Sequence, residues 1–253
     1  MTSRTTASTH TITGTGSGHD EPGYFGLDLE AMSEADRYSR EIVRGFSPYL
    51  GQRVAEVGAG IGNISVLLLE RGLTSLLAIE PDHHMHEKLA ERLKPNANAV
   101  ACRGLLATAV ERGRIGEMDS VVSVNVLEHV KDDAGELALM RSVLRPGGHL
   151  CLWVPAVPAL YSRFDAMLGH HRRYRKSELA TRIRGAGFEI VRLGYRDLAG
   201  LFAWFLCCRV LGRTLTRRNV GLYDRLVVPV TSAVGRWVRP PLGKNLFAVA
   251  RRP

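Results

Sequence analysis

Val54-Ala55-Glu56-Val57-Gly58-Ala59-Gly60-Ile61-Gly62-Asn63 is the stretch on which the reading of this chain turns. A short apolar run ends in three glycines at alternate positions, and Asn63–Arg71 then reads as a helix stopped by Gly72. Glycines between a strand and a helix let the backbone approach a ligand closely, and the amides that open the helix favour an anionic group. The spacing discriminates among ligands. A dinucleotide fingerprint requires G-x-G-x-x-G, but here the third glycine falls one residue early and Asn63 stands in its place. No Gly-Lys-Ser/Thr follows, which excludes a P-loop.

Outward from this turn, strands and helices alternate. Ser33-Glu34-Ala35-Asp36 has the form of a helix N-cap, and the helix runs to about Phe46, closed by Pro48 and Gly51. Strands are predicted at Arg53–Val57, Leu76–Glu80, Ala99–Arg103, Ser120–Asn125 and His149–Val154. Helices are predicted at Asp82–Leu93, in a short piece after Arg103, and at Asp133–Val143, which Arg145-Pro146-Gly147-Gly148 ends. The unbroken apolar run Ser120–Val124 implies burial on both faces, as in a parallel sheet. Alternation at this spacing predicts βαβ units in a doubly wound α/β sheet with helices on both faces. The last third is more elaborate. It holds a helix Ser177–Ile183, a strand Phe188–Leu193, the apolar segment Leu198–Cys208, a helical Leu222–Val238 and a final strand Leu246–Ala250.

A second signal lies 22 residues after Gly58, where Glu80 ends its strand in Leu76-Leu77-Ala78-Ile79-Glu80-Pro81. A carboxylate there can accept both hydroxyls of a ribose. With Glu56–Gly62 and Glu80-Pro81, the runs Asp119-Ser120-Val121-Val122-Ser123-Val124-Asn125-Val126-Leu127-Glu128-His129 and Leu144-Arg145-Pro146-Gly147-Gly148 complete an ordered set. In that order the four resemble the motifs of class I S-adenosylmethionine-dependent methyltransferases, closest to the small bacterial ubiquinone and menaquinone type. The resemblance covers roughly residues 32–155. It implies a Rossmann-like seven-stranded sheet whose last strand is antiparallel, with S-adenosyl-L-methionine as cofactor. It further implies that Glu56, Gly58, Gly60 and Gly62 hold the methionine end, Glu80 and Pro81 the ribose, and Asn125 and Leu127 the rim near the methyl group. Tyr38 matches a position that covers the cofactor in many relatives. One departure stands out: Arg103-Gly104-Leu105-Leu106 lacks the acid that grips adenine in many relatives, leaving the Leu105 backbone or Asp119 to serve.

The segment after the fifth strand, Tyr161-Ser162-Arg163-Phe164-Asp165-Ala166-Met167-Leu168-Gly169-His170-His171-Arg172-Arg173-Tyr174, is dense in titratable and aromatic groups for a connector. It is similar to a D-x-x-x-G-H-x-R-R-Y pattern in a subset of these bacterial enzymes, many acting on envelope precursors or specialised metabolites. His170 is the first candidate base, Asp165 its partner, and His129 a further candidate near the methyl group. Tyr161 and Tyr174 could stack on an acceptor, with Arg173 and Trp204 as further acceptor-side residues. The competing reading is an Asp165–Arg173 salt bridge that pins the connector. His83, His84 and His86 read as a solvated helix surface.

Composition bounds the partners. The 253 residues, 45% hydrophobic and 23% charged, suit a globular protein that buries a core without disulfides or metal. Cys102, Cys151, Cys207 and Cys208 show no zinc-ligand spacing, so no metal is expected, and Cys102 and Cys151 read as small buried hydrophobes in a reducing cytoplasm. Residues 1–21 read as a disordered tail with no apolar signal segment. Residues 22–253 read as one domain: an N-terminal helical lid (22–50), a cofactor-binding core (51–155) and acceptor-side elements (156–253). Residues 1–162 carry 15 Lys/Arg against 20 Asp/Glu, and residues 163–253 carry 19 against 5. The basic third could face anionic lipid, nucleic acid or solvent. Leu198–Cys208 could be a core helix, a pocket wall, or an interfacial helix with Arg196, Arg209, Arg213, Arg217 and Arg218 on lipid. The function expected is methyl transfer to a small apolar or aromatic metabolite at O, N or an electron-rich carbon. The alternatives are a lipid-linked or envelope saccharide precursor at a membrane surface and, third, RNA. Against nucleic acid, Asn125-Val126-Leu127-Glu128 is not the motif of amino-methylating DNA enzymes, and no aromatic RNA-binding signature appears. The sequence leaves the oligomeric state open.

Overall fold

The computed structural model describes residues 35–206, 221, 223–229 and 240–253. The expected tail, the Ser33 cap, Cys207, Cys208 and most of Leu222–Val238 lie outside these residues; residues 223–229 are helical. In chain order the elements are α1 (Asp36–Phe46), β1 (Arg53–Val57), α2 (Asn63–Leu69), β2 (Ser75–Glu80), α3 (His83–Leu93), β3 (Ala99–Arg103), α4 (Leu106–Glu111) and β4 (Met118–Val124). There follow α5 (Asp133–Val143), β5 (Leu144–Pro155), α6 (Arg163–Met167), α7 (Lys176–Gly185), β6 (Glu189–Arg196), α8 (Leu198–Trp204) and β7 (Asn245–Arg251).

All seven strands form one sheet in the order β3-β2-β1-β4-β5-β7-β6. β1 to β5 pair in parallel, and β7 inserts antiparallel between β5 and β6. The chain reverses direction across the sheet between β1 and β4, so the crevice of a doubly wound sheet opens at their carboxyl ends.

Apolar runs become strands at the centre of the sheet because a strand there has two buried faces, whereas the edge strands β3 and β6 are largely uncovered. On β4, Val121 points to one core and Val122 to the other. On β5, Leu150 and Leu152 face the first core, Cys151 and Trp153 the second. β7 repeats this with Leu246, Ala248 and Ala250 against Phe247 and Val249. α4, α5 and α7 cover the first face through Leu106, Leu137, Met140, Leu179 and Ile183. α1 and α2 cover the second through Ile42, Phe46, Ile64 and Leu68, with Phe46 stacked on Phe247 at 5.0 Å. Cys102 and Cys151 are buried free thiols.

Two expectations need correction. β5 starts at Leu144, not at His149: the Arg145–Gly148 turn is carried inside the strand as an irregularity, because Gly147 N donates to Arg252 O and keeps the edge paired. Of the three readings of Leu198–Cys208, the core helix is not met in the described part: within α8 only Gly200 and Trp204 are buried, and Phe202 is 64% exposed.

Candidate active site

β1 delivers the chain to the crevice with Glu56 inward and the glycines at its mouth. Gly58 and Ala59 donate their N–H groups to Ile79 O on β2 at 2.9 and 3.0 Å, which clamps the loop to its neighbour strand. Gly58, at φ +73°, cannot carry a side chain: a Cβ would stand 2.3 Å from Cγ2 of Val126. Gly60, also at positive φ, donates its N–H to Glu80 Oε2 at 2.7 Å. Glu80 Oε1 accepts from Asp82 N at 2.9 Å, so this buried carboxylate ties β2 to the loop. Burial raises the Glu80 pKa, and the two backbone N–H groups oppose the rise. Glu56 is buried beneath, accepts from Ser65 Oγ at 2.5 Å, and is pushed up to about 8, chiefly by desolvation and with Glu80 adding its charge.

Two buried carboxylates beside a loop with no room for a side chain suit a cationic nucleoside with free hydroxyls, so the residues present fit the expected cofactor. Pro81 and Leu105 are exposed beyond the ends of β2 and β3, strands whose register sets Glu80 opposite Arg103. Leu105 is 61% exposed at the first turn of α4. Asp119 is excluded from any adenine contact. It sits at the opposite end of β4, accepting from Gln52 N, Arg53 N and Arg145 Nε.

At the carboxyl end of β4, Asn125 is exposed at φ +53° with its N–H on Trp153 O. A non-glycine residue held there is strained, as residues at ligand sites often are. Leu127 corrects the expectation: its side chain is wholly buried in the core, and only its carbonyl faces a polar group, the Tyr174 hydroxyl at 3.2 Å. Tyr38 takes Asn245 Nδ2 on its hydroxyl at 2.6 Å and sets its ring edge-on to Trp153. Burial raises its pKa well above the usual tyrosine value, and Asp197 adds to the rise. It therefore sits on the β5–β7 side of the crevice.

The connector after β5 folds over the end of β4. Asp165 on α6 is wholly buried and accepts from Ser162 N at 2.8 Å, Ser162 Oγ at 3.0 Å, Arg173 Nε at 2.8 Å and His170 Nδ1 at 3.1 Å. Burial pushes its pKa up, but His170, Arg173 and Ser162 outweigh that and hold it below the usual carboxylate range. With Nδ1 engaged, His170 presents Nε2, which lies 3.9 Å from Glu128 Oε1. His129 stands edge-on to His170 with ring centroids 4.6 Å apart. Its pKa falls to about 4, first through burial and then through His170 and His171.

Glu128 is a residue to which the sequence alone assigns no role. It is fully buried, its carbonyl accepts from His171 N at 2.8 Å, and no other described residue donates to its carboxylate. Desolvation pushes its pKa up to about 8. Among the described residues, Glu128, His129 and His170 form the group whose ligand atoms all lie within 4.8 Å of one another. Of the His83, His84 and His86 run, His83 and His84 are exposed on α3 as expected, whereas His86 is half-buried with its Nε2 shut away from water and unpartnered; the three make no such group.

The acceptor-side expectations divide. Tyr161 is exposed and donates to His170 O at 2.7 Å, so it borders the cluster. Tyr174 is fully buried and bonded to Asp133 Oδ2 at 2.8 Å, which leaves no ring face for an acceptor. Arg173 is a buried tie to Asp165 and Ala156 O. Trp204 packs with Leu160 and Phe164, and the cations of Arg173 and Lys244 lie 4.5 and 5.2 Å from its ring centre, so it too is packing rather than an open wall.

Residues 30–193 match a family described as a methyltransferase domain. The O-methyltransferase rstn1 of Aspergillus nomiae is 26% identical over 178 residues, covering 67% of this chain and 79% of that protein. A ubiquinone biosynthesis O-methyltransferase of Methylococcus capsulatus is 25% identical over 191 residues, 69% of this chain and 80% of that one. The solved structure of a SAM-dependent methyltransferase from Archaeoglobus fulgidus superposes with a TM-score of 0.61 at 18% identity, covering 90% of this chain and 99% of that one.

Proposed function

The chain belongs to the S-adenosylmethionine-dependent methyltransferase-domain family, and from that premise we propose that it methylates a small molecule through an ionisable oxygen or nitrogen. The supporting observation is the Asp165–His170 pair: a buried carboxylate fixes the imidazole so that Nε2 faces the end of β4, where Asn125 is held in strain. A small-molecule acceptor also agrees with the O-methyltransferases among the relatives.

The cofactor supplies a methyl group already activated on sulfur. Glu56 and the backbone of Gly58, Gly60 and Gly62 hold its cationic end, and Glu80 with Pro81 holds the ribose. Leu105 gives adenine an apolar surface and backbone groups. Asn125 borders the methyl group. His170 Nε2 faces the acceptor and can take its proton, with Asp165 holding Nδ1 and so the orientation of the ring. Tyr161 borders this segment through its bond to His170 O, and approximation of the two reactants supplies on the order of 7–11 kcal/mol.

The test is transfer of labelled methyl from S-adenosylmethionine to metabolites of a cell extract, comparing the native chain with His170→Ala. Turnover is expected to fall by about 10²–10⁴-fold with cofactor affinity unchanged. Equal turnover in the variant would remove His170 from the reaction.

A membrane-held acceptor is a second reading. Phe202, Phe205 and Leu206 are exposed together, and the chain continues into Arg209, Arg213, Arg217 and Arg218. An apolar face beside cations suits an anionic bilayer surface, although among the described residues no helix is long and apolar enough to cross one. Co-sedimentation with anionic but not neutral vesicles would support it, and indifference to both would end it.

A further inference from the structure

Glu128 is a buried carboxylate that receives no hydrogen bond from any other described side chain or backbone group. Such a group is destabilising unless something positive meets it. The Arg173 guanidinium acts on its charge without donating to it, and the groups whose ligand atoms stand beside it are two imidazoles, His129 and His170, drawn from different segments of the chain. We propose that Glu128, His129 and His170 bind one divalent transition-metal ion, whose remaining positions take two adjacent oxygens of the acceptor.

The geometry supports an ion rather than a hydrogen-bond network. Ligands about 2.1 Å from a common ion lie about 3–4 Å from one another, and Glu128 Oε1 and His170 Nε2 are already 3.9 Å apart. Ring nitrogens of both histidines are steered from behind. His170 gives Nδ1 to Asp165 at 3.1 Å, and His129 hydrogen-bonds to the Gly169 backbone. Metal-binding histidines characteristically hand their other N–H to a carboxylate or carbonyl in this way. One carboxylate with two imidazoles suits zinc, manganese or iron(II) better than magnesium or calcium, which prefer oxygen alone.

The inference rests on the methyl-transfer reading and changes one part of it. With an ion present, His170 Nε2 is a ligand, and the acceptor hydroxyl loses its proton to water as its oxygen binds the metal. That oxygen then uses a lone pair to form the new O–C bond, while the C–S bond breaks with its electron pair going to sulfur. The ion is not oxidised or reduced, and all three ligands are regenerated. Three protein ligands leave open positions on one side, so the acceptor class is a hydroxyl next to a second oxygen donor.

The experiment strips the full chain with a chelator and titrates it with zinc and with manganese by calorimetry, with equilibrium dialysis for stoichiometry. One ion per chain is expected. Glu128→Gln and His170→Gln should each weaken binding by more than about 100-fold, and Asp165→Asn by about 10–100-fold. Circular dichroism melts identify any variant that fails to fold, and the other variants then carry the result. Binding that survives in folded Glu128→Gln and His170→Gln, for instance at His83, His84 and His86, overturns the proposal. So does full methyl transfer in excess chelator with no ion bound, which leaves the methyltransferase reading intact. An ion bound one per chain through these ligands, with no methyl transfer to any acceptor, supports the site and counts only against that reading.

Discussion

Replacing Gly58 by alanine measures how tightly the cofactor loop is built around a missing side chain. The backbone there has φ +73°, and the new Cβ would stand 2.3 Å from Cγ2 of Val126, with Cβ and Cγ1 of the same residue at 3.4 Å. The left-handed conformation costs an alanine about 1–2 kcal/mol. Forcing a methyl into the packed space adds about 1–3 kcal/mol. The sum is about 2–5 kcal/mol. For a chain of this length that lowers the melting temperature by about 4–20 °C. The two contributions separate experimentally, because Val126→Ala removes the colliding methyls and leaves φ unchanged. A double-mutant cycle should therefore show a coupling of about 1–3 kcal/mol between Gly58→Ala and Val126→Ala. Scanning calorimetry reads the stability. Isothermal titration with S-adenosylmethionine reads the site, where at least a tenfold loss, about 1.4 kcal/mol, is expected because loop and ligand share the same space. A Gly58→Ala chain that melts like the native one, or two substitutions that simply add, would show that the loop is not wedged against the strand β4 exit.

Glu56 has a folded-state pKa of about 8, raised by burial. Its contribution to stability is present in full at acid pH, below the ordinary value of 4.5, and is lost as pH rises through about 8. Melting temperature should therefore fall between about pH 5 and pH 8.5 more steeply in the native chain than in Glu56→Gln. Binding a cationic cofactor against Glu56 should also release a proton near neutrality, read as a titration enthalpy that varies with the buffer. Asp224 caps the first turn of α1, accepting from Arg37 N at 3.1 Å and Tyr38 N at 2.8 Å. Asp224→Ala should cost about 0.5–2 kcal/mol in chemical denaturation. Arg173→Met leaves Asp165 buried without its guanidinium, and unfolding free energy should drop by about 3–5 kcal/mol.

The parts of this molecule that sequence reveals are those fixed by local pattern. Arg53–Val57, Ala99–Arg103 and Asp133–Val143 are bounded as expected, because a turn residue or a cap lies at each end. Glu56, the glycines and Glu80 meet because the parallel register of β1 and β2 brings the ends of the two strands side by side. What escaped depends on partners far along the chain. Tyr174, between arginines in a connector, reads as a ring that could stack on an acceptor, yet Asp133, 41 residues earlier, gives its hydroxyl a buried partner and so lets the ring enter the core. Glu128 stands in the sequence only as one member of the run that follows the fourth strand. Only the folding of the connector over β4 removes it from water and sets His170 beside it. Asp224 reaches α1 across 186 residues, a contact no periodicity announces.

Asp165 shows why the two readings of the connector were not alternatives. One oxygen, Oδ2, takes both Ser162 donors and so caps α6, while the other, Oδ1, is shared by Arg173 Nε and His170 Nδ1. If Asp165 served only to pin the loop, the arginine and the cap would suffice, since a buried carboxylate with one guanidinium and two further donors is already well satisfied. Spending a lone pair on His170 as well fixes which nitrogen of that ring faces Glu128 and His129. The salt bridge makes this orientation rigid, because Arg173 is itself held by Ala156 O at the end of β5. Anchored to the sheet, the imidazole has no freedom to turn away from the end of β4. Structural pinning is thus the means by which His170 Nε2 is aimed, and under the proposed function it would be aimed for a proton or an ion alike.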